Sequence, residues 1–276
     1  MMTPVGRVAV VTGANQGVGF YSALQLGLSG KFGHVILACR NATKGQEAMQ
    51  AIQEHLTSHS SSTSLSCESL VLGDSNSHTT FAKKMEEQFG KLDVLVNNAA
   101  MAYKGADPTP FERQCQPTLD VNFRGTVDLT EKLLPLIRKG SDPRIVNISS
   151  MSGRLSQVSA QLQQKFTSPD LTIPELMGLM NQFQSDVLKG THRQNGWSST
   201  NYGMSKFAVT AGTKVWAREN PSIAINCCCP GSCSTSMNSY RGSQPPAEGA
   251  QNAVIPATMD DPPTGAYFAN FKLAEW

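Results

Sequence analysis

Tyr202 and Lys206, in the run Tyr-Gly-Met-Ser-Lys, stand four residues apart. On a helix that spacing puts both side chains on one face, a phenol beside an ammonium. A free phenol has a pKa of about 10, too weak an acid for neutral pH. A fixed cation nearby favours the phenolate and pulls that value down, so a tyrosine in this setting can hand a proton to a carbonyl oxygen. Alone, such a pair is ordinary helix surface. Its company gives it weight: a glycine-rich turn at Gly13, an Asn-Asn at 97 and 98, and Ser149-Ser150 closing a strand-like run.

The elements that must hold these residues follow from the hydrophobic pattern. Val8 to Thr12 is a short β-branched run that stops at Gly13, and Phe20 to Leu28 resumes in helical rhythm: strand, tight turn, helix. His34 to Cys39 reads as a second buried strand, with a helix from about Thr43 to Leu56 behind it. Residues 57 to 66 read as a flexible Ser/Thr-rich loop, and Ser69 to Gly73 as a weaker third strand. Leu92 to Asn97, Arg144 to Ser149, Ile223 to Cys229 and Gly265 to Ala269 complete seven strands. A long helix runs through Leu119 to Ile137 with Asn122 on its more buried side, and another from Tyr202 to Ala217. Strands without side alternation, each separated by a helix, imply an α/β, Rossmann-like doubly wound parallel sheet.

One domain over residues 1–276 is expected, with a helical insertion over 151–199 before the tyrosine. Inside that insertion Thr172-Ile-Pro-Glu175 has the form of a capping box with an early proline. Leu176, Leu179, Met180, Phe183 and Val187 then make an apolar stripe that Gly190 can end. Two roles stay open for it, a helix fixed to the side of the domain and a mobile lid over substrate.

Composition excludes several classes. The formal net charge is +2, with no basic stripe or block of like charge, so neither nucleic acid nor an anionic membrane is an expected partner. No apolar run approaches the roughly 20 residues of a membrane span, and the N-terminus, with one basic residue leading into a strand, is not how a secretory signal begins. A cytoplasmic protein is expected. Seven cysteines without a repeated Cys-x-x-Cys spacing fit neither a disulfide framework nor a zinc site. Cys227 to Cys229 alternate faces in a strand, and His55 and His59 stand on a polar helix end, so no metal is expected.

The cofactor reading starts at Gly13-Ala-Asn15-Gln16-Gly17-Val18-Gly19, the first strand-to-helix turn. Backbone N–H groups and the positive end of a helix can hold a pyrophosphate there. Strand two ends not in the acid of an NAD site but in Cys39 and Arg40, whose guanidinium suits an added phosphate, so the expected cofactor is NADP(H). Asp74 is a plausible acceptor for the adenine amino group.

Taken together, Thr12-Gly13-x3-Gly17-x-Gly19, Asn97-Asn98-Ala99, Asn122, Ser150, Tyr202-x3-Lys206 and Pro230-Gly231 resemble the short-chain dehydrogenase/reductase family, nearly end to end. The branch of monomeric carbonyl reductases is closer still. It shares the insertion before the tyrosine and the phrases at Asp107–Phe111, Leu133–Ile137 and Leu162–Phe166. The resemblance implies that Tyr202 gives its proton to a substrate oxygen polarised by Ser150 while a nicotinamide delivers hydride. Lys206 would lower the tyrosine's pKa and hold the ribose, and Asn122 would place a water in the proton path. Asn98 and Ala99 would line the adenosine side, and Pro230, Gly231 and Thr235 would fix the carboxamide. Ala100, Gln16 and Ser232 depart from the family pattern, the last of them widening an open pocket around Met151, Trp197, Cys233 and Met237. The expected activity is NADPH-dependent reduction of aldehydes, ketones and quinones by a monomer. Alternatives are a dehydrogenase of a steroid-like or secondary-metabolite alcohol and a non-catalytic NADPH sensor.

Overall fold

Short β-branched runs become strands here because each can bury both of its faces. The structure, a computed structural model, describes residues 6–276, so Met1 to Val5, on which the N-terminal reading largely rests, lie outside it. The strands are β1 (Val8–Thr12), β2 (His34–Cys39), β3 (Ser64–Ser69), β4 (Val94–Asn97), β5 (Arg144–Ile148), β6 (Ala224–Cys228), β7 (Tyr267–Ala269) and β8 (Lys272–Ala274). They form one sheet in the order β3-β2-β1-β4-β5-β6-β7-β8. All pairs are parallel except β7 with β8. Chain order reverses beside β1, which pairs with both β2 and β4. Connections leave to opposite faces at that point and open a crevice at the C-terminal ends of the strands.

The helices are α1 (Gly17–Leu28), α2 (Ala42–Ser58), α3 (Ser75–Phe89), α4 (Phe111–Leu119), α5 (Gly125–Ile137), α6 (Ala160–Phe166), α7 (Ile173–Leu188), α8 (Asn201–Glu219) and α9 (Pro246–Thr258). Side chains of α1, α2 and α9 bury against one face of the sheet with Ala9, Val11, Val35 and Leu37. Those of α3, α5, α7 and α8 bury with Val8, Val10, Ile36 and Ile145 on the other. Most of α8 is buried, Met204, Phe207, Ala208 and Ala211 completely, which fixes the helix that carries Tyr202.

Three expectations are corrected. The third strand lies at Ser64–Ser69, not Ser69–Gly73, and takes part of the stretch read as a loop. It is an edge strand of alternating polar residues, mostly half-exposed, so its apolar content is too low to announce it. An eighth strand, antiparallel and exposed along its length, closes the other edge. The long helix also begins earlier, at Phe111, and between α4 and α5 it passes through a π-helical turn at Asp120–Arg124 that contains Asn122.

The insertion has its own logic. Thr172 and Glu175 form the reciprocal capping box, and Ile173, Leu176, Met180, Phe183 and Val187 are buried. Arg124 anchors α7 at its polar edge, donating to Asn181 Oδ1 and Gln184 Oε1, both at 2.7 Å. Asp186, 3% exposed, accepts from Gln182 Nε2 at 2.7 Å and from the Trp197 indole N–H at 2.8 Å. Burial works against its charge, but hydrogen bonds from Asn195, Trp197 and Gln182 outweigh it and hold its pKa below the ordinary value. A lowered folded value means that this carboxylate stabilises the insertion above an unfolded pKa of about 3.9 and ceases to as pH falls through the folded value. Asp186→Ala should therefore cost about 1–3 kcal/mol in urea denaturation at neutral pH, the price of orphaning buried donors. Asp186→Asn should in addition flatten the acid limb of the stability profile below about pH 4.

Candidate active site

The loop from β1 to α1 is shaped by glycines that no other residue replaces easily. Gly13 and Gly17 have φ of +66° and +58°, a region that costs residues with a Cβ. A methyl at Gly13 would also stand 2.9 Å from the Ala99 Cα. The N-cap of α1, Gln16, offers no side-chain hydrogen bond, the first turn holds no acid, and the amides of Gly17, Val18 and Gly19 have no acceptor among the described residues. That is a cradle for an anionic group. Thr12 Oγ1 accepts the N–H groups of Asn98 and Ala99, both at 2.9 Å, and Asn98 Nδ2 donates to the Thr12 carbonyl at 2.7 Å. Asn98 and Ala99 thus brace the loop. Across the crevice the Thr235 methyl would lie 3.2 Å from a Cβ at Gly17.

Arg40 follows β2 directly, exposed, and its guanidinium makes no hydrogen bond or ion pair among the described residues. Asp74 is the exposed N-cap of α3, where its Oδ1 accepts from the Asn76 N–H at 3.0 Å. Both stand at the C-terminal edge beyond β2 and β3, as the dinucleotide reading requires. Asn15, Gln16, Val18 and Gly19 lie on the cradle itself, Gln16 exposed and Gly19 buried.

The chemical end of the crevice is where β5 meets α8. Ser150 caps a 3-10 turn at Met151–Gly153, with its Oγ accepting the Ser152 N–H at 3.1 Å. Lys206 is 3% exposed, and its Nζ donates to the Ile148 carbonyl at 2.6 Å and stands 5.9 Å from the centre of the Tyr202 ring. Burial pulls the lysine down to about 8, against the opposing pull of the Cys228 and Cys229 thiols. The expectation that the ammonium lowers the tyrosine's pKa is not met. Burial, with the Cys229 thiol, pushes the Tyr202 phenol up to about 12, and the hydrogen bond with Ser150 only partly offsets it. The phenol therefore holds its proton throughout the physiological range.

Asn122 is fully engaged. Its side chain accepts the Met101 N–H at 2.7 Å and donates to the Met101 carbonyl at 2.8 Å and to Ser205 Oγ at 3.0 Å. It ties the segment after β4 to α8 beside Lys206.

On the far wall the Pro230-Gly231 turn is closed by Gln244, whose Nε2 donates to the Pro230 carbonyl. Met151 and Met237 are exposed at the rim, at 57% and 37%. Two expected pocket residues lie elsewhere. Trp197 is 5% exposed, packed between Phe166 and Phe183 in the core of the insertion, because its indole N–H finds its partner in Asp186. Cys233 is buried beneath the loop, its thiol donating to the Pro230 carbonyl at 3.1 Å. Sequence reasoning missed Gln244 and Met101, whose roles depend on contacts distant in the chain. It also left open Cys229, whose sulfur accepts the N–H groups of Met151 at 3.3 Å and Gly231 at 3.4 Å. Its place directly before Pro230-Gly231 was the available signal.

Comparison with known proteins shows which family the chain is similar to. Residues 7–162 match the family described as short chain dehydrogenase. The chain is 39% identical to carbonyl reductase (NADPH) 1 of Homo sapiens, over 98% of each chain, and 37% identical to that of Bos taurus over 100% of each. Among solved structures, salutaridine reductase from Papaver somniferum superposes with a TM-score of 0.84 at 30% identity, covering 96% of this chain and 99% of that one. Menthone neomenthol reductase from Mentha piperita gives 0.82 at 27%, covering 97% and 99%.

The cradle admits a direct test. A methyl at Gly19 would overlap both Asn98 Nδ2 and the Gly13 carbonyl oxygen, so the loop must shift. Gly19→Ala should weaken dinucleotide binding about tenfold or more, read by fluorescence titration. An unchanged affinity would remove the cradle from the binding site.

Proposed function

Because the chain belongs to the short-chain dehydrogenase family, we propose that it reduces small-molecule carbonyl compounds to alcohols with NADPH. The carrying observation is the meeting of Ser150, Tyr202 and Lys206 at the open end of a dinucleotide crevice, in a chain similar over its whole length to NADPH carbonyl reductases. Neither an alcohol-oxidising dehydrogenase nor a non-catalytic sensor is favoured by those relatives.

NADPH, when bound, supplies the hydride that reaches the carbonyl carbon. The chain's own residues do the rest. The amides of Gly17, Val18 and Gly19 take the pyrophosphate, and Arg40 takes the added phosphate of NADP as a free guanidinium suited to it. Asn15 and Gln16 border the same anion, Asp74 receives the adenine side, Asn98 and Ala99 fix the loop, and Pro230, Gly231 and Thr235 border the nicotinamide. Ser150 donates to the substrate oxygen and stabilises the charge that develops there. Tyr202, protonated at neutral pH, transfers its proton to that oxygen. Lys206, with its pKa brought down to about 8, is the group able to restore that proton. Asn122 supports this path by tying Met101 to Ser205, the residue before the lysine, and Met151 and Met237 offer an apolar rim to the substrate.

We also infer a single-domain protein that acts as a monomer in the cytoplasm. Insertion helix α7 supports the monomer, since it packs on α4 and α8 and so covers a helical face that a second copy would need. No helix among the described residues is long and apolar enough to cross a membrane.

The experiment is NADPH oxidation followed optically with quinones, aromatic aldehydes, α-dicarbonyls and ketosteroids. Tyr202→Phe should lower turnover by about 10²–10⁴-fold, the usual contribution of a positioned proton donor, with NADPH binding retained. Retained turnover would show that the proton comes from elsewhere.

A further inference from the structure

Trp276 lies beyond β8, far along the chain from the reacting groups, yet its indole N–H donates to the Gly153 carbonyl at 2.7 Å. Gly153 is the last residue of the 3-10 turn that Ser150 begins, and its own N–H donates to the Ser150 carbonyl at 2.8 Å. The turn is pressed against the catalytic helix. A methyl at Gly153 would lie 2.7 Å from the Lys206 carbonyl carbon, so the backbones meet where no side chain fits. The Trp276 ring packs on Phe207, the residue after Lys206, with centroids 5.0 Å apart at 45°. Phe207 is fully buried and packs in turn on Phe166 at 4.6 Å, which gives the tryptophan a rigid base. The Lys214 ammonium stands 5.9 Å over the indole from the same helix.

One side chain therefore touches both partners that must keep their relation, the serine turn through its N–H and α8 through its ring. The start of the turn is held by the hydrogen bond between Ser150 and Tyr202 and by the Cys229 sulfur, which accepts the Met151 N–H at 3.3 Å, a weak acceptor at long range. Without the indole bond, packing is what holds the far end of the turn to α8 among the described residues. Ser150 Oγ has a second, internal partner in the Ser152 N–H, so a rotation of the turn carries the hydroxyl with it. Small errors in such positions are costly to rate.

We propose that Trp276 is a positioning residue for the carbonyl-reducing site, a latch that sets Ser150 against Tyr202 by pinning the 151–153 turn to α8. The proposal rests on the function given above, and its test separates the two. Trp276→Phe keeps a smaller aromatic ring to pack on Phe207 and removes the N–H. Its kcat should fall about three- to tenfold, the size of one neutral hydrogen bond expressed in the barrier. The KM for NADPH and the stoichiometry of NADPH binding should not change. Hydrogen exchange of the Met151 to Gly153 amides in the enzyme without substrate should quicken, a readout that needs no turnover. Faster exchange with reduced kcat and full NADPH stoichiometry supports the latch. Unchanged exchange, unchanged kcat in an active enzyme, or a loss of kcat matched by lost NADPH sites, which marks a folding defect, would overturn it. A wild type inactive on every carbonyl tried would count against the function, while the exchange data still decide the latch.

Discussion

The bond from the Lys206 ammonium to the Ile148 carbonyl is the contact on which the site depends. It joins the C-terminal end of β5 to the second turn of α8, across a distance in sequence that no local structure could bridge. A lysine 3% exposed has few ways to be satisfied, and a strand-end carbonyl is one that cannot move. Ser149 strengthens the same seam, its hydroxyl donating to the Lys206 carbonyl at 3.1 Å and paired with Thr210 Oγ1 at 2.5 Å. Once strand and helix are locked there, Ser150 and Tyr202 have little choice of relation.

Burial then decides the electrostatics, and it does so against the simplest reading of the sequence. A phenol beside an ammonium suggests a depressed tyrosine, but here the two groups desolvate together. Loss of water raises one and lowers the other, until the tyrosine sits at about 12 and the lysine at about 8. Such an arrangement suits a proton donor: Tyr202 arrives protonated, and the lysine behind it titrates close to neutral pH.

Tyr202 and Lys206 were legible because helical periodicity places i and i+4 on one face, and the cradle because a glycine-rich turn follows the first strand. The parallel sheet was legible because its central strands are apolar on both faces. What escaped has physical causes. Ser64–Ser69 is an edge strand whose polar side chains carry no hydrophobic signal. Trp197 stands close enough before the helix of Tyr202 to suggest a pocket, yet its indole N–H needs a buried acceptor, and Asp186 supplies one away from the crevice. The partners of Asn122 and Trp276, Met101 and Gly153, are pairings set by the tertiary fold and not by spacing.

The pH dependence of kcat/KM for carbonyl reduction tests the account most directly, because it reports the ionisations of the free enzyme. With Tyr202 protonated throughout and Lys206 titrating at about 8, the rate should hold level through neutrality and fall as pH rises through about 8. A rate that climbs over that interval, or stays level to the ordinary phenol value of about 10, would contradict the assignment of the proton path to this buried pair.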